Sequence, residues 1–112
     1  YVLDLCSAYE KILKNKKFFG KEINVGLNKS FFLKDIIEEI RLSLRIKNVN
    51  INRDVKRVRP NKSEVFNLIC NNDFLKTNTD WVPNYSFKKG IKKTVSWYKK
   101  NKSQFDSKNY NV

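Results

Sequence analysis

Two arginines, Arg57 and Arg59, stand at alternate positions directly before Pro60, and this short stretch is the part of the chain best suited to bind a ligand. The residue before a proline is confined to extended backbone, where side chains two positions apart project to the same side. Two guanidinium groups on one side can each make paired hydrogen bonds with phosphate oxygens, which a lysine ammonium does less well. The spacing therefore predicts a site that grips a diphosphate.

Two polar residues that follow the arginines extend this candidate site. Glu64 offers a carboxylate that can accept two hydrogen bonds, as the two hydroxyls of a ribose require. Ser63 offers a hydroxyl that either caps a turn or adds one hydrogen bond to a phosphate. The residues alone also allow a second interpretation, in which Arg57, Arg59 and Glu64 form a solvated charge cluster with one internal ion pair.

Several other kinds of chemistry find no support in the sequence. The chain has no histidine, which is the commonest metal ligand and the commonest base at neutral pH. Its two cysteines, Cys6 and Cys70, form no metal-binding spacing and are expected to be buried free thiols. We therefore expect no metal site and no catalytic residue in this chain, and we expect a reducing, cytoplasmic compartment.

Length and charge set broader limits. The 112 residues make one small domain, and no apolar run is long enough to cross a membrane. Position 1 is not a methionine and the chain opens within a helical pattern, so we expect a fragment of a longer protein. A formal net charge of +13 favours a polyanionic partner. Because seven lysines lie between positions 88 and 102 with aromatic residues among them, a stand-alone RNA- or DNA-binding module is an alternative.

Hydrophobic periodicity predicts four helices and two short strands. Helical spacing runs from Asp4 to about residue 16, with Asp4 as the expected cap, and from Leu33 to about residue 46. A short helix is expected from Asp73, and a last helix from Ser86 to about residue 101. Residues 22–25 and 49–52 alternate polar and apolar side chains, as strands do. The order predicts a small mixed α/β domain over residues 1–101, followed by a polar, frayed tail over residues 102–112.

Six stretches of the sequence also carry a family resemblance. In chain order they are YVLD at 1–4, INVG at 23–26, RVRPNKSEV at 57–65, LICNN at 68–72, WVP at 81–83 and YSFKKGIKKTVSWYKKN at 85–101. We refer to them as the six blocks. Together they resemble the C-terminal, substrate-binding part of nucleotide-sugar epimerases and dehydratases of the extended short-chain dehydrogenase/reductase family. The third block looks most like that of 4,6-dehydratases that act on GDP-linked sugars.

The resemblance implies roles for the candidate residues. In such enzymes Arg59 would contact the nucleotide diphosphate with help from Arg57, and Glu64 would bind the ribose hydroxyls. The full enzyme would bind NAD(H) or NADP(H) and act as a homodimer. The mixed α/β fold would be completed by a Rossmann half that carries the cofactor and the catalytic tyrosine and lysine.

The sequence departs from the family in what it lacks. Its three glycines, Gly20, Gly26 and Gly90, form no glycine-rich dinucleotide fingerprint. The pairs Tyr85/Lys89 and Tyr98/Lys102 have the catalytic spacing, but both are interpreted as coincidences of a lysine-rich chain. Alone, the chain is expected to be catalytically silent. A remnant that serves only packing or dimerisation is the third interpretation.

Overall fold

The computed structural model describes residues 1–52, 65 and 67–105. Helices account for 54% of these residues. The α-helices are α1 (Val2–Leu13), α2 (Leu33–Leu44), α3 (Asp73–Asn78) and α4 (Phe87–Lys100), and two 3₁₀ turns cover Lys16–Phe18 and Lys102–Gln104. None of these helices is long and apolar enough to cross a membrane.

The prediction of a mixed α/β domain is wrong, because the described residues contain no strand and no sheet. Residues 22–25 and 49–52 form no strand. Ile23 and Val25 pack against the hydrophobic core, whereas Glu22 and Asn24 are exposed. Burial on one side therefore produces the alternating pattern at 22–25 without a neighbouring strand. Ile51 is 70% exposed, so the second alternating segment lacks even that one-sided burial.

The four predicted helices are confirmed, with differences at their ends. α4 begins as expected, since the Ser86 hydroxyl accepts a hydrogen bond from the Lys89 N–H at 3.3 Å. α2 begins after Phe32, which offers no side-chain cap, and ends at Arg45 in the left-handed conformation (φ 59°). Asp4 does not cap α1, because the helix begins at Val2 and places Asp4 in its first turn.

The hydrophobic core described by the structure is small. Its buried side chains are Ala8, Phe18, Leu75 and Trp81. They join α1, the first 3₁₀ turn, α3 and the segment that leads to α4. The ring of Phe18 meets that of Phe74 edge to face at 5.4 Å between centroids, which extends the core towards α3.

Helices α2 and α4 pack against each other beside this core. The rings of Phe31 and Phe87 stack with their centroids 4.1 Å apart. An ion pair of 2.8 Å between Lys88 and Glu39 joins the same two helices. This packing fixes the spacing between α2 and α4, which leaves a cleft between the two helices.

Much of the apolar stripe of α1 stays uncovered. Ala8 is buried and Ile12 is partly buried, but Leu5, Tyr9 and Leu13 are 37%, 54% and 74% exposed. A helix normally buries such a stripe against another element. The apolar face of α1 is therefore only partly used within this chain.

Candidate functional site

The four residues predicted to bind a ligand, Arg57, Arg59, Ser63 and Glu64, lie outside the described residues. Their proposed contacts with a diphosphate and a ribose stay predictions. Among the described residues, the richest convergence of sequence features lies around the start of α1.

An open cavity of about 340 Å³ lies beside the start of α1. Three of the six blocks, at 1–4, 23–26 and 81–83, supply most of its lining. The lining residues are Tyr1, Val2, Asp4, Leu5, Val25, Gly26, Leu27, Trp81 and Pro83. Its wall is almost entirely apolar, with Asp4 as the one ionisable side chain apart from the phenol of Tyr1.

Asp4 is the polar anchor of this cavity. It is only 6% exposed, and its Oδ1 atom accepts a hydrogen bond of 2.7 Å from the backbone N–H of Asn84. The other oxygen, Oδ2, is buried without a hydrogen-bond partner among the described residues. One carboxylate oxygen thus ties α1 to the segment before α4, and the second remains able to accept a hydrogen bond.

Trp81 strengthens the same connection from the opposite side. Its indole Nε1 donates to the backbone oxygen of Asp4 at 3.2 Å and to the hydroxyl oxygen of Ser7 at 3.0 Å. Its backbone N–H donates to the hydroxyl oxygen of Thr79 at 3.1 Å. At 4% exposure the ring is part of the core, so it holds its segment against the core.

Gly26 is held against the block at 68–72. A Cβ atom at this position would lie 2.8 Å from both Cβ and Sγ of Cys70, which is closer than such atoms normally approach. The side-chain amide of Asn72 donates to the backbone oxygen of Gly26 at 2.5 Å, and Asn72 is 1% exposed. The absence of a side chain at Gly26 therefore allows two distant segments to pack closely.

The block at 85–101 reaches the same region through Tyr1. A Cβ atom on Gly90 would lie 3.2 Å from Cβ of Tyr1, so α4 approaches the start of α1 closely at this glycine. The ring of Tyr1 lies 4.8 Å from that of Tyr85. The ammonium groups of Lys89 and Lys93 lie 5.2 and 5.5 Å from the centroid of the Tyr85 ring, within cation–π range.

The glycines leave no cradle for a dinucleotide on the described residues. Gly26 packs on Cys70 and Gly90 packs on Tyr1, while Gly20 has a positive φ of 70° and open space around it. A dinucleotide fingerprint needs three glycines in one turn between a strand and a helix. An NAD-type cofactor does not fit these glycines.

The acidic residues and cysteines of the described part of the chain meet neither the requirements of a metal site nor those of a disulfide bond. No three His, Cys, Asp or Glu residues within the described part of the chain form a group that could hold a metal ion. Both cysteines are free, as expected. The expectation that both are buried is wrong, because Cys6 is exposed and Cys70 is only partly buried. Cys6 lies on α1, on a side of the helix that the core does not cover.

Sequence reasoning missed the anchoring role of Asp4. The position of Asp4 at a helix start indicated a local cap, whereas its bonding partner Asn84 lies 80 residues further along the chain. No local pattern signals such a partner. The resemblance of the block at 1–4 was the available hint that this aspartate has a role of its own.

Comparison of the chain with protein-family models, with curated proteins and with solved structures finds no match. The family resemblance of the six blocks therefore stays a prediction.

Proposed function

We propose that this chain is the substrate-binding portion of an NAD-dependent nucleotide-sugar epimerase or dehydratase. The observation that carries the proposal is the order Arg57, Arg59, Pro60, Ser63 and Glu64. The two guanidinium groups would bind the diphosphate in paired hydrogen bonds, and the carboxylate would accept from the ribose hydroxyls. A GDP-linked sugar is the favoured substrate.

Contacts between blocks within the described residues support this proposal. Gly26 packs on Cys70 and Gly90 packs on Tyr1, so each contact joins two blocks that are far apart in sequence. Residues of the blocks at 1–4, 23–26 and 81–83 line one cavity.

The uncovered stripe of α1 supports the idea of a larger enzyme. Leu5, Tyr9 and Leu13 are more exposed than is usual for one face of an amphipathic helix. In the proposed enzyme a cofactor-binding Rossmann half would cover this stripe and supply the catalytic tyrosine and lysine. The complete enzyme would act in the cytoplasm as a homodimer.

The contribution of this chain to catalysis would be positional. Binding the nucleotide away from the reacting carbon supplies free energy that can hold the hexose in one orientation. The bound cofactor would supply hydride chemistry. The residues of this chain would orient the substrate and take no part in proton or hydride transfer.

The test is the affinity of the intact protein for a GDP-sugar, measured by isothermal titration calorimetry. Arg59→Ala should weaken binding by about 1.5–3 kcal/mol, the range for a hydrogen bond to a charged group. Arg53→Ala is the matched control, because it removes the same charge four positions before Arg57 and should change the affinity little. Equal affinity for the Arg59→Ala variant and the unchanged protein would refute the assignment.

The same variants distinguish the proposed nucleotide-sugar site from the alternative, a stand-alone nucleic-acid-binding module. A stand-alone basic module would bind random-sequence RNA with a dissociation constant below about 1 µM and a steep salt dependence, tighter than typical non-specific binding. It would not distinguish Arg59→Ala from Arg53→Ala, since each removes one positive charge. Tight RNA binding without GDP-sugar binding would replace our proposal with that alternative.

A further inference from the structure

A second cleft, away from the cavity at Asp4, lies between α2 and α4. Its volume is about 520 Å³, within the range of small-molecule sites. The lining residues are Leu42, Ser43, Arg45, Lys92, Val95, Ser96 and Lys99. Three of these side chains are cationic and none is acidic, and two of them, Leu42 and Val95, are aliphatic.

Four residues of α4 form one wall of this cleft. Lys92, Val95, Ser96 and Lys99 lie at positions i, i+3, i+4 and i+7, which places them along one face of the helix. Two ammonium groups therefore flank one hydroxyl and one apolar side chain along the α4 wall.

The end of α2 supplies the other half. Arg45 adopts φ 59° and ψ 35°, and its backbone N–H donates to the oxygen of Leu42 at 3.1 Å. The N–H of Ile46 donates to the oxygen of Arg41 at 3.3 Å. These bonds satisfy two of the last four carbonyl groups of the helix. The turn also places Arg45 in the cleft lining.

Glu38 and Glu39 of α2 form ion pairs outside the cleft. Arg41 donates to both carboxylate oxygens of Glu38, at 2.6 and 2.7 Å, and this hydrogen bonding lowers the pKa of the Glu38 carboxyl. Glu39 pairs with Lys88 at 2.8 Å. Among the described residues, no ion pair joins a carboxylate to Arg45, Lys92 or Lys99. Three like charges within one concave surface concentrate positive potential there.

Two hydroxyls add hydrogen-bonding capacity to the same lining. Ser96 is exposed on the α4 wall. The Oγ atom of Ser43 is buried and has no hydrogen-bond partner among the described residues. A buried hydroxyl without a partner is costly, and rotation about its χ1 angle would let it donate to an acceptor in the cleft.

Three of the four α4 lysines outside the cleft are engaged by neighbouring side chains. Lys88 pairs with Glu39, and the ammonium groups of Lys89 and Lys93 lie over the ring of Tyr85. Lys100 is exposed at the end of the helix. A polynucleotide would need an extended track of cations along the surface. The engaged lysines interrupt such a track along α4, which favours a small anion at Arg45, Lys92 and Lys99.

We infer that the α2–α4 cleft binds a small phosphorylated molecule through Arg45, Lys92 and Lys99, a set of residues different from those proposed to bind a diphosphate. Phosphate oxygens would accept from the three cations and from the serine hydroxyls. Leu42 and Val95 would contact an apolar part of the ligand. This inference does not depend on the proposed enzymatic function.

The test measures inorganic pyrophosphate binding to the intact protein by isothermal titration calorimetry. All variants carry Arg57→Ala and Arg59→Ala, so that binding at the other proposed site does not contribute. In this background Lys92→Gln with Lys99→Gln should weaken pyrophosphate binding at least about tenfold. Lys16→Gln with Lys17→Gln removes the same charge outside the cleft and should alter the affinity less than about twofold. Far-UV circular dichroism checks that all variants keep the same helix content.

Three results would overturn the inference. The first is an absence of pyrophosphate binding in the Arg57→Ala/Arg59→Ala background. The second is an equal loss of affinity in the two double-glutamine variants, which would indicate attraction to net charge alone. The third is tight binding of a 20-nucleotide RNA that pyrophosphate does not displace, which would assign the basic surface to nucleic acid.

Discussion

The close approach of Gly26 to Cys70 gives a prediction with a defined size. A Cβ atom at position 26 would lie 2.8 Å from two atoms of Cys70, whereas carbon atoms in favourable contact are about 3.5–4.0 Å apart. Relief of this overlap requires the segments around residues 26 and 70 to separate. Overpacking of this kind typically costs about 1–3 kcal/mol. We therefore expect Gly26→Ala to lower the free energy of unfolding by that amount.

The companion change is Cys70→Gly, which removes both atoms that the new methyl group would meet. Alone it should destabilise the protein moderately, because a glycine adds conformational freedom to the unfolded chain. In the double variant the clash is absent, so the two effects should not add. We expect a coupling free energy of about 1–2 kcal/mol in favour of the double variant.

The assay is urea unfolding followed by far-UV circular dichroism at one protein concentration. Gly20→Ala is the matched control, because its Cβ would meet nothing within 4 Å and its cost would arise from the φ of 70°. Cys70→Gly should therefore leave the effect of Gly20→Ala unchanged. A coupling below about 0.5 kcal/mol for the pair at 26 and 70 would show that these segments do not pack as described.

Two further predictions concern other contacts of the same region. Trp81→Phe should lower the free energy of unfolding by about 0.5–1.5 kcal/mol, because it removes the indole N–H that donates to the Asp4 backbone oxygen and to the Ser7 hydroxyl. No loss of stability in urea unfolding would contradict this prediction. The hydrogen bond from Lys11 lowers the pKa of Asp80 below its ordinary value of 3.8. The pair therefore stabilises the fold above pH 3.8, and this stabilisation is lost as the pH falls through the lowered pKa. The Asp80→Asn variant should thus be slightly less stable at pH 7 and equally stable in strong acid, and an NMR titration that places the Asp80 pKa above 3.8 would refute this.

The helices were predictable because their signals are local. Ser86 and the apolar spacing after it predicted α4, and the start of α2 at Leu33 is the one expected. Periodicity identified these helices because a helix satisfies its own backbone hydrogen bonds within a few residues. The structure agrees with the sequence where no distant partner is needed.

The two predicted strands do not form, because a strand depends on a partner that is distant in sequence. Alternation at residues 22–25 correctly indicates that one side of the segment is buried, since Ile23 and Val25 contact the core. A strand also requires a neighbouring backbone to accept and donate its hydrogen bonds. Periodicity carries no information about whether such a neighbour exists, and the described residues supply none here.

The two candidate sites also differ in whether they depend on neighbouring or on distant residues of the sequence. Residue type and spacing alone predict a diphosphate site at Arg57 and Arg59, because that inference uses only one short segment of the sequence; these residues lie outside the described ones, so the site stays a prediction. The cleft between α2 and α4 was not predictable, since Arg45 and Lys92 are 47 positions apart and are brought together by helix packing. The sequence showed seven lysines between positions 88 and 102 without distinguishing those in a cleft from those already paired.

The sequence by itself determined where the helices form, which residues have the chemistry to bind phosphate and which chemistry is lacking. These properties follow from residue type and from contacts within a turn or two of the chain. Only the tertiary structure decided that Asp4 bonds Asn84, that Gly26 packs on Cys70 and that the alternating segments find no strand partner. Such contacts depend on free energies of packing between distant segments, and no local pattern of side chains encodes which segments will meet.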